Sequence, residues 1–135
     1  MTNERKSIDE WRAILPPLVF HVTQEGGTER PHTGVLIDER RMGTYRCVCC
    51  DALLFLGSGK FPSGCGWPAF HSEAPGASIR RLEDRSHGMR RIEVRCGACD
   101  AHLGHVFNDG PREHGGERYC INSVCLVFTP EEDEK

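Results

Sequence analysis

No apolar run in this 135-residue chain approaches the roughly 20 residues that cross a bilayer as a helix. A membrane role is therefore not expected. The opening stretch, Met1-Thr2-Asn3-Glu4-Arg5-Lys6, lacks an apolar signal region, and its acidic residue speaks against a transit peptide. Positive charge is not in excess either. Seventeen Lys and Arg face 20 Asp and Glu, for a formal net charge of −3, which argues against a nucleic-acid binder. Long helices are disfavoured by 15 glycines and 8 prolines, so turns and short strands should dominate. With 38% hydrophobic residues the chain has enough for one domain, 1–135, with a modest core. Its ordered part is expected over about residues 5–129, followed by an acidic tail ending Glu131-Glu132-Asp133-Glu134-Lys135.

Cysteine is abundant, with eight residues. In a secreted chain that number would suggest disulfides. Without a signal region, and with C-x-x-C spacing, zinc binding plus redox chemistry in a reducing cytoplasm fits better. Two stretches share a local sequence: Cys47-Val48-Cys49-Cys50-Asp51-Ala52-Leu53-Leu54 and Cys96-Gly97-Ala98-Cys99-Asp100-Ala101-His102-Leu103. Both fit C-x-x-C-D-A-x-L. One such turn sets two sulfurs at two corners of a tetrahedral zinc site, and two turns complete a closed, structural, four-thiolate site. The repeat also selects among the first turn's three thiols. Cys47 and Cys50 align with Cys96 and Cys99, while Cys49 aligns with Ala98. A span of 45 residues, Asp51 to Arg95, separates the knuckles, more than a compact zinc ribbon uses. The metal would clamp two distant hairpins, and four cysteines leave no open catalytic position.

The remaining pattern is mostly β. Residues 7–15 form a short helix with Ser7 and Glu10 as its capping box and Ile8, Trp11, Ile14 and Leu15 on one face. Pro16-Pro17 ends it and opens a second short helix, which Gly26-Gly27 stops. Tyr45-Arg46-Cys47 and the alternating Arg91-Ile92-Glu93-Val94-Arg95 lead into the knuckles, and residues 117–128 are the longest strand candidate. Residues 57–66 and 108–116 are glycine-rich loops. The arginine pairs at 40–41, 80–81 and 90–91 are scattered and fit solvated faces.

Four cysteines lie outside the metal site. Side chains alternate along a strand, so Arg118, Cys120 and Asn122 project together. A guanidinium beside a thiol favours thiolate, the reactive form. A structural cysteine on a half-exposed strand is the plain alternative. Cys65, in Ser63-Gly64-Cys65-Gly66-Trp67-Pro68-Ala69-Phe70, is flanked by glycines that make it mobile and able to reach an oxidised partner. Phe70 fits core packing, and Trp67 fits a binding wall. Geometry rejects Cys125 as a disulfide partner of Cys120: five residues of extended strand span roughly 17 Å, against about 7 Å for a disulfide, and Cys125 points to the opposite face. Cys125 then reads as a small buried hydrophobe and Cys49 as an incidental knuckle residue. His102 and His105 could donate protons near a reactive thiolate or simply be hydrogen-bonded in the structure.

These stretches together resemble the B-type methionine sulfoxide reductases, which act on the R epimer at sulfur. The resemblance runs from Trp11 to Phe128. It is carried by Gly27-Thr28-Glu29-Arg30-Pro31, both knuckles, Lys60 to Pro68, His102-Leu103-Gly104-His105-Val106-Phe107 and Arg118-Tyr119-Cys120-Ile121-Asn122-Ser123. It implies a mainly β fold, two antiparallel sheets in a barrel-like arrangement with short N-terminal helices and a structural zinc. Cys120 matches the family's catalytic cysteine and Cys65 its usual resolving cysteine. Trp67, His102, His105, Arg118 and Asn122 match active-site positions, and Asp109 is placed in the same polar shell. The implied activity is reduction of methionine-R-sulfoxide in oxidised proteins. It would proceed through a sulfenic acid and a Cys65–Cys120 disulfide, with recycling by a thioredoxin-type reductant, and a monomer is expected. Ala69, Cys49 and Val124-Cys125 depart from the family pattern without touching that logic. Two other classes compete: a non-catalytic binding module with Trp67 and Phe70 as an aromatic pocket, and a zinc-ribbon nucleic-acid module.

Overall fold

The structure, a computed structural model, describes residues 6–131. Residue 5 of the expected ordered part and residues 132–135 of the acidic tail lie outside the described residues. Two short helices come first. In α1 (Ile8–Ile14) the capping box forms in both directions, Ser7 N–H to Glu10 Oε1 at 2.7 Å and Glu10 N–H to Ser7 Oγ at 3.2 Å. Leu15 is extended, as the residue before a proline prefers, and ends the helix. Pro17 opens α2 (Pro17–Glu25), and Gly26 closes it in the left-handed conformation at φ 71°. Trp11, Phe20 and Val22 are their buried faces. No helix among the described residues is long and apolar enough to cross a membrane.

Eight strands follow: β1 (Gly43–Cys47), β2 (Leu53–Leu56), β3 (Ala69–Phe70), β4 (Ile79–Asp84), β5 (Arg91–Cys96), β6 (His102–Phe107), β7 (Arg118–Ile121) and β8 (Leu126–Pro130). They form two antiparallel sheets, ordered β2-β1-β8 and β3-β7-β6-β5-β4. The sheets meet across a core of Tyr45, Leu54, Phe55, Phe70, Val94, Leu103, Tyr119 and Ile121. Phe70 stacks on Phe55 at 4.4 Å and meets the edge of Tyr45 at 5.0 Å, so it is a core residue, as its sequence setting suggested. Among the described residues no strand pairing joins the two sheets, so they form two open layers rather than a closed barrel.

The long strand expected over 117–128 is broken. β7 belongs to the larger sheet and β8 to the smaller, and a 3-10 turn, Ser123–Cys125, carries the chain between them. Interior partners bend it. The Asn122 amide bridges Glu29 N–H and the Leu103 carbonyl, each at 2.9 Å. Val124 N–H donates to the Glu29 carboxylate at 3.0 Å, and Leu36 N–H to Ser123 Oγ at 3.3 Å. The premise that put Cys120 and Cys125 on one extended strand therefore fails. Cys125 is fully buried, and its thiol points to the His102 carbonyl at 3.2 Å. It remains the small buried hydrophobe expected.

Candidate functional site

The two knuckles fold alike. Each first cysteine accepts the N–H of the aspartate four residues on, Asp51 to Cys47 and Asp100 to Cys96, both at 2.8 Å. Both aspartates sit at positive φ, 66° and 69°, a conformation that Asp tolerates better than most residues. The turns bring Cys47, Cys50, Cys96 and Cys99 together with all four sulfurs within 4.8 Å of one another. Cys47 and Cys99, and likewise Cys50 and Cys96, are 3.6 Å apart. A tetrahedron with zinc–sulfur bonds of about 2.3 Å has edges of about 3.8 Å. The donor set and its spacing therefore fit a four-coordinate thiolate metal site. Burial, with its neighbouring thiols adding to it, pushes the Cys50 thiol up to about 12, and a divalent cation is what reverses such a penalty. Cys49 stays outside this set, its sulfur 3.6 Å from the Gln24 side-chain amide.

A second constellation lies on the larger sheet, in a cleft of about 280 Å³. Cys65, Trp67, His105, Arg118, Cys120 and Asn122 all line it. β6 and β7 set the geometry: His105 pairs directly across from Cys120. Gly104 gives β7 room, because a side chain there would run into the Cys120 carbonyl. Arg118 Nη1 lies 2.6 Å from Cys120 Sγ, its plane stacks over Phe107 at 4.5 Å, and Asp109 holds Nε and Nη2 at 2.8 and 3.1 Å. Asp109 is itself largely exposed and does not line the cleft; its contact with the site runs through Arg118.

Cys65 Sγ lies 2.8 Å from Cys120 Sγ. The loop that carries it is pinned on its C-terminal side. Gly66 takes φ 99° with its backbone against Pro31, and its carbonyl accepts His32 N–H at 2.7 Å. Trp67 Nε1 donates to the Glu29 carbonyl at 3.1 Å. The two thiols titrate as a unit. Contact with Cys120 holds Cys65 down to about 5, and the same contact, reinforced by burial, pushes Cys120 up. Arg118 opposes that rise at Cys120. When the sulfurs part, their mutual effect goes and the guanidinium remains, so Cys120 is the sulfur that keeps a cation beside it.

The histidines divide. His105 lines the cleft and shares its Nε2 with Asp84 Oδ2 at 2.8 Å. His102 does not line it. It is buried, bonded through Nδ1 to Glu93 Oε2 at 2.6 Å, with its ring centre 5.6 Å from that of His105. Burial works to raise the Glu93 carboxyl, and hydrogen bonds from His102 and Arg95 overcome it, holding it at about 2. Asn122 commits both ends of its amide to backbone and keeps one N–H for the cleft.

Thr28, Arg91 and Phe107 also line the cleft, and Glu29, Asp84 and Glu93 brace it. The residue-by-residue sequence reading gave none of them a role. Arg91 was grouped with the solvated arginine pairs, and only its neighbours on adjacent strands bring it to the cleft. Glu29 stood inside the motif Gly27–Pro31 with nothing local to reveal its partners, which are more than ninety residues away for Asn122 and Val124.

A buried thiol with a cation, a second thiol in contact, an imidazole with its carboxylate and an aromatic wall define a thiol-based oxidoreductase site. The comparisons with known proteins agree. Residues 15–130 match the SelR domain family. The chain is 60% identical over 121 residues to a probable methionine-R-sulfoxide reductase B of Caenorhabditis elegans, covering 88% of this chain and 79% of that protein. It is 54% identical over 125 residues to the peptide methionine sulfoxide reductase MsrB of Pseudomonas putida (strain W619), covering 93% of each. It is 53% identical over 129 residues to the MsrB of Escherichia coli O139:H28, covering 96% of this chain and 93% of that protein. The chain belongs to the SelR-domain family of B-type methionine sulfoxide reductases.

Proposed function

We propose that this chain reduces methionine-R-sulfoxide in oxidised proteins, with Cys120 as the nucleophile and Cys65 as the resolving thiol. The observation that carries this reading is the pair of contacts at Cys120 Sγ, Arg118 Nη1 at 2.6 Å and Cys65 Sγ at 2.8 Å, in a cleft walled by Trp67 and His105. Sulfoxide sulfur is a poor electrophile until its oxygen takes a proton. As the Cys120 thiolate attacks the sulfur, the S–O electron pair moves onto oxygen, which is protonated from the His105 side, with the free Asn122 N–H supporting it. The hydroxyl then passes from that sulfur to Cys120 Sγ while the newly formed S–S bond breaks with its electron pair going to the methionine sulfur, so the two-electron reduction releases methionine and leaves Cys120 as sulfenic acid. The Cys65 thiolate attacks that sulfur and displaces hydroxide, which leaves as water after protonation. A Cys65–Cys120 disulfide results, and a thioredoxin-type dithiol reduces it in two exchange steps. Trp67 packs on the substrate methyl and selects the epimer.

Cys47, Cys50, Cys96 and Cys99 would hold zinc, a structural ion that joins the two knuckles and takes no part in the chemistry. The decisive experiment gives both epimers of a blocked methionine sulfoxide to the zinc-loaded protein with a small dithiol, and separates them chirally. Consumption of the R epimer alone is expected. If neither epimer is consumed by folded protein, the enzyme reading falls and the binding-module reading replaces it.

A further inference from the structure

His105 is held by a carboxylate from two strands away, and the chemistry proposed above leaves that carboxylate without a role. Asp84, the last residue of β4, places Oδ2 2.8 Å from His105 Nε2. Asp84 is itself fixed: Ser86 N–H donates to Oδ1 at 2.9 Å and Arg91 Nη2 approaches Oδ2 at 3.3 Å. A carboxylate only accepts, so the N–H of His105 must be on Nε2. Nδ1 then carries a proton only when the ring is an imidazolium. It has no hydrogen-bond partner among the described residues and is not sealed from solvent. His105 lines the cleft beside Cys120, and the neighbouring His102 is turned to its own carboxylate, Glu93.

We propose that Asp84 is a positioning residue of the reaction: it turns the His105 ring so that Nδ1 is left for the sulfoxide oxygen, and it stabilises the imidazolium that donates from that atom. The proposal rests on the reading of His105 as proton source. The proton leaves Nδ1 for the sulfoxide oxygen, the ring becomes neutral with its remaining proton on Nε2 and donated to Asp84, and water restores the Nδ1 proton. Burial pushes His105 down, as do Arg91 and His102, while Asp84 acts in the opposite direction. The charged and titratable groups around the ring are Asp84 on β4, Arg91 and Glu93 on β5, His102 on β6, Arg118 and Cys120 on β7, and Cys65 in the loop. Of these, Asp84 alone bonds the His105 ring directly. His105 and its carboxylate therefore form a unit, as catalytic histidines with an orienting third group do.

The test uses the full-length, zinc-loaded protein and its Asp84→Asn, Asp84→Glu, His105→Gln and Asp84→Asn/His105→Gln variants. One readout is the NMR titration of His105 in the free protein. The other is the single-turnover rate with blocked methionine-R-sulfoxide. Asp84→Asn should move the His105 titration to lower pH and slow the single turnover by roughly ten- to a hundredfold near neutral pH, with KM little changed. The limb on which the rate falls as pH rises should move to lower pH by the same amount. Asp84→Glu should restore most of the rate, and Asp84→Asn should cost little more once His105 is glutamine. An unmoved His105 titration in Asp84→Asn overturns this proposal and leaves the proposed function standing. So does full additivity of the two substitutions, which would make Asp84 only a structural support. A His105→Gln protein at full rate overturns both the proton-source reading and this proposal.

Discussion

Cys120 and Cys65 touch, yet their environments differ, and that difference decides what each substitution does. Cys120 is buried with Arg118 at its sulfur, while Cys65 sits on a loop whose other partners are Ser63 Oγ and the Trp67 carbonyl. Cys120→Ser should abolish sulfoxide reduction, a loss read directly as methionine formed. Cys65→Ser should still release about one methionine per enzyme with thioredoxin as reductant and then stall, because the sulfenic acid lacks its resolving partner. A burst followed by normal turnover would mean that another thiol resolves Cys120. Arg118→Lys keeps a charge but loses the planar fork that Asp109 grips at two nitrogens and the stacking on Phe107. A drop of about tenfold or more in kcat is expected, with the Cys120 alkylation rate at fixed pH falling alongside it.

At the scale of elements, β6 and β7 place the chemistry, and Phe70 on β3 supports them from beneath. Phe70→Ala should cost about 3–5 kcal/mol of stability, because its ring fills the space between Phe55 and Tyr45 and a cavity would replace it. Urea denaturation measures that loss, and a cost under about 1 kcal/mol would show that the core closes over the gap. The same elements show what the sequence could and could not reveal. Both helices with their caps, both knuckles and the projection of Arg118 with Cys120 were legible, because each depends on neighbours a few residues away. The break of residues 117–128 into β7 and β8 was not. Its causes are Glu29, Leu36 and Leu103, and no local pattern announces a hydrogen bond across ninety residues. The separate partners of His102 were hidden for a related reason. His102 was grouped with His105 by proximity in sequence, while strand β5 supplied Glu93 and drew the two rings to different partners. Asp84 and Arg91 were hidden because a charged residue on a strand looks solvated until the strand beside it is known.

For the molecule as a whole, the four-cysteine cluster, which could hold a metal ion, and the buried ion pairs bear on the conditions under which it stays folded. A chelator that strips the four-cysteine site should lower the melting temperature and loosen the knuckles, and adding zinc back should restore both. Acid should act partly through Glu93. Its folded carboxyl is held at about 2, below the ordinary value near 4.3. The stabilisation is fully present above the unfolded value and is lost as pH falls from about 5 toward 2. Melting curves of Glu93→Gln and the unsubstituted protein should therefore differ near neutrality and converge as pH falls through that window. The comparison separates this effect from protonation of the metal-binding thiols, which both proteins share.

The order of strands also has a meaning in time. As the chain is made, β1 appears with the Cys47–Cys50 half of the clamp, but it must wait roughly eighty residues for its neighbour β8. The Cys96–Cys99 half emerges before the strand that carries Cys120. A nascent chain thus holds all four cysteines that could bind a metal ion while Cys120 is still to be synthesised. If Cys120 is the nucleophile proposed above, it enters a chain whose four-cysteine cluster and partner strand β6 are already made.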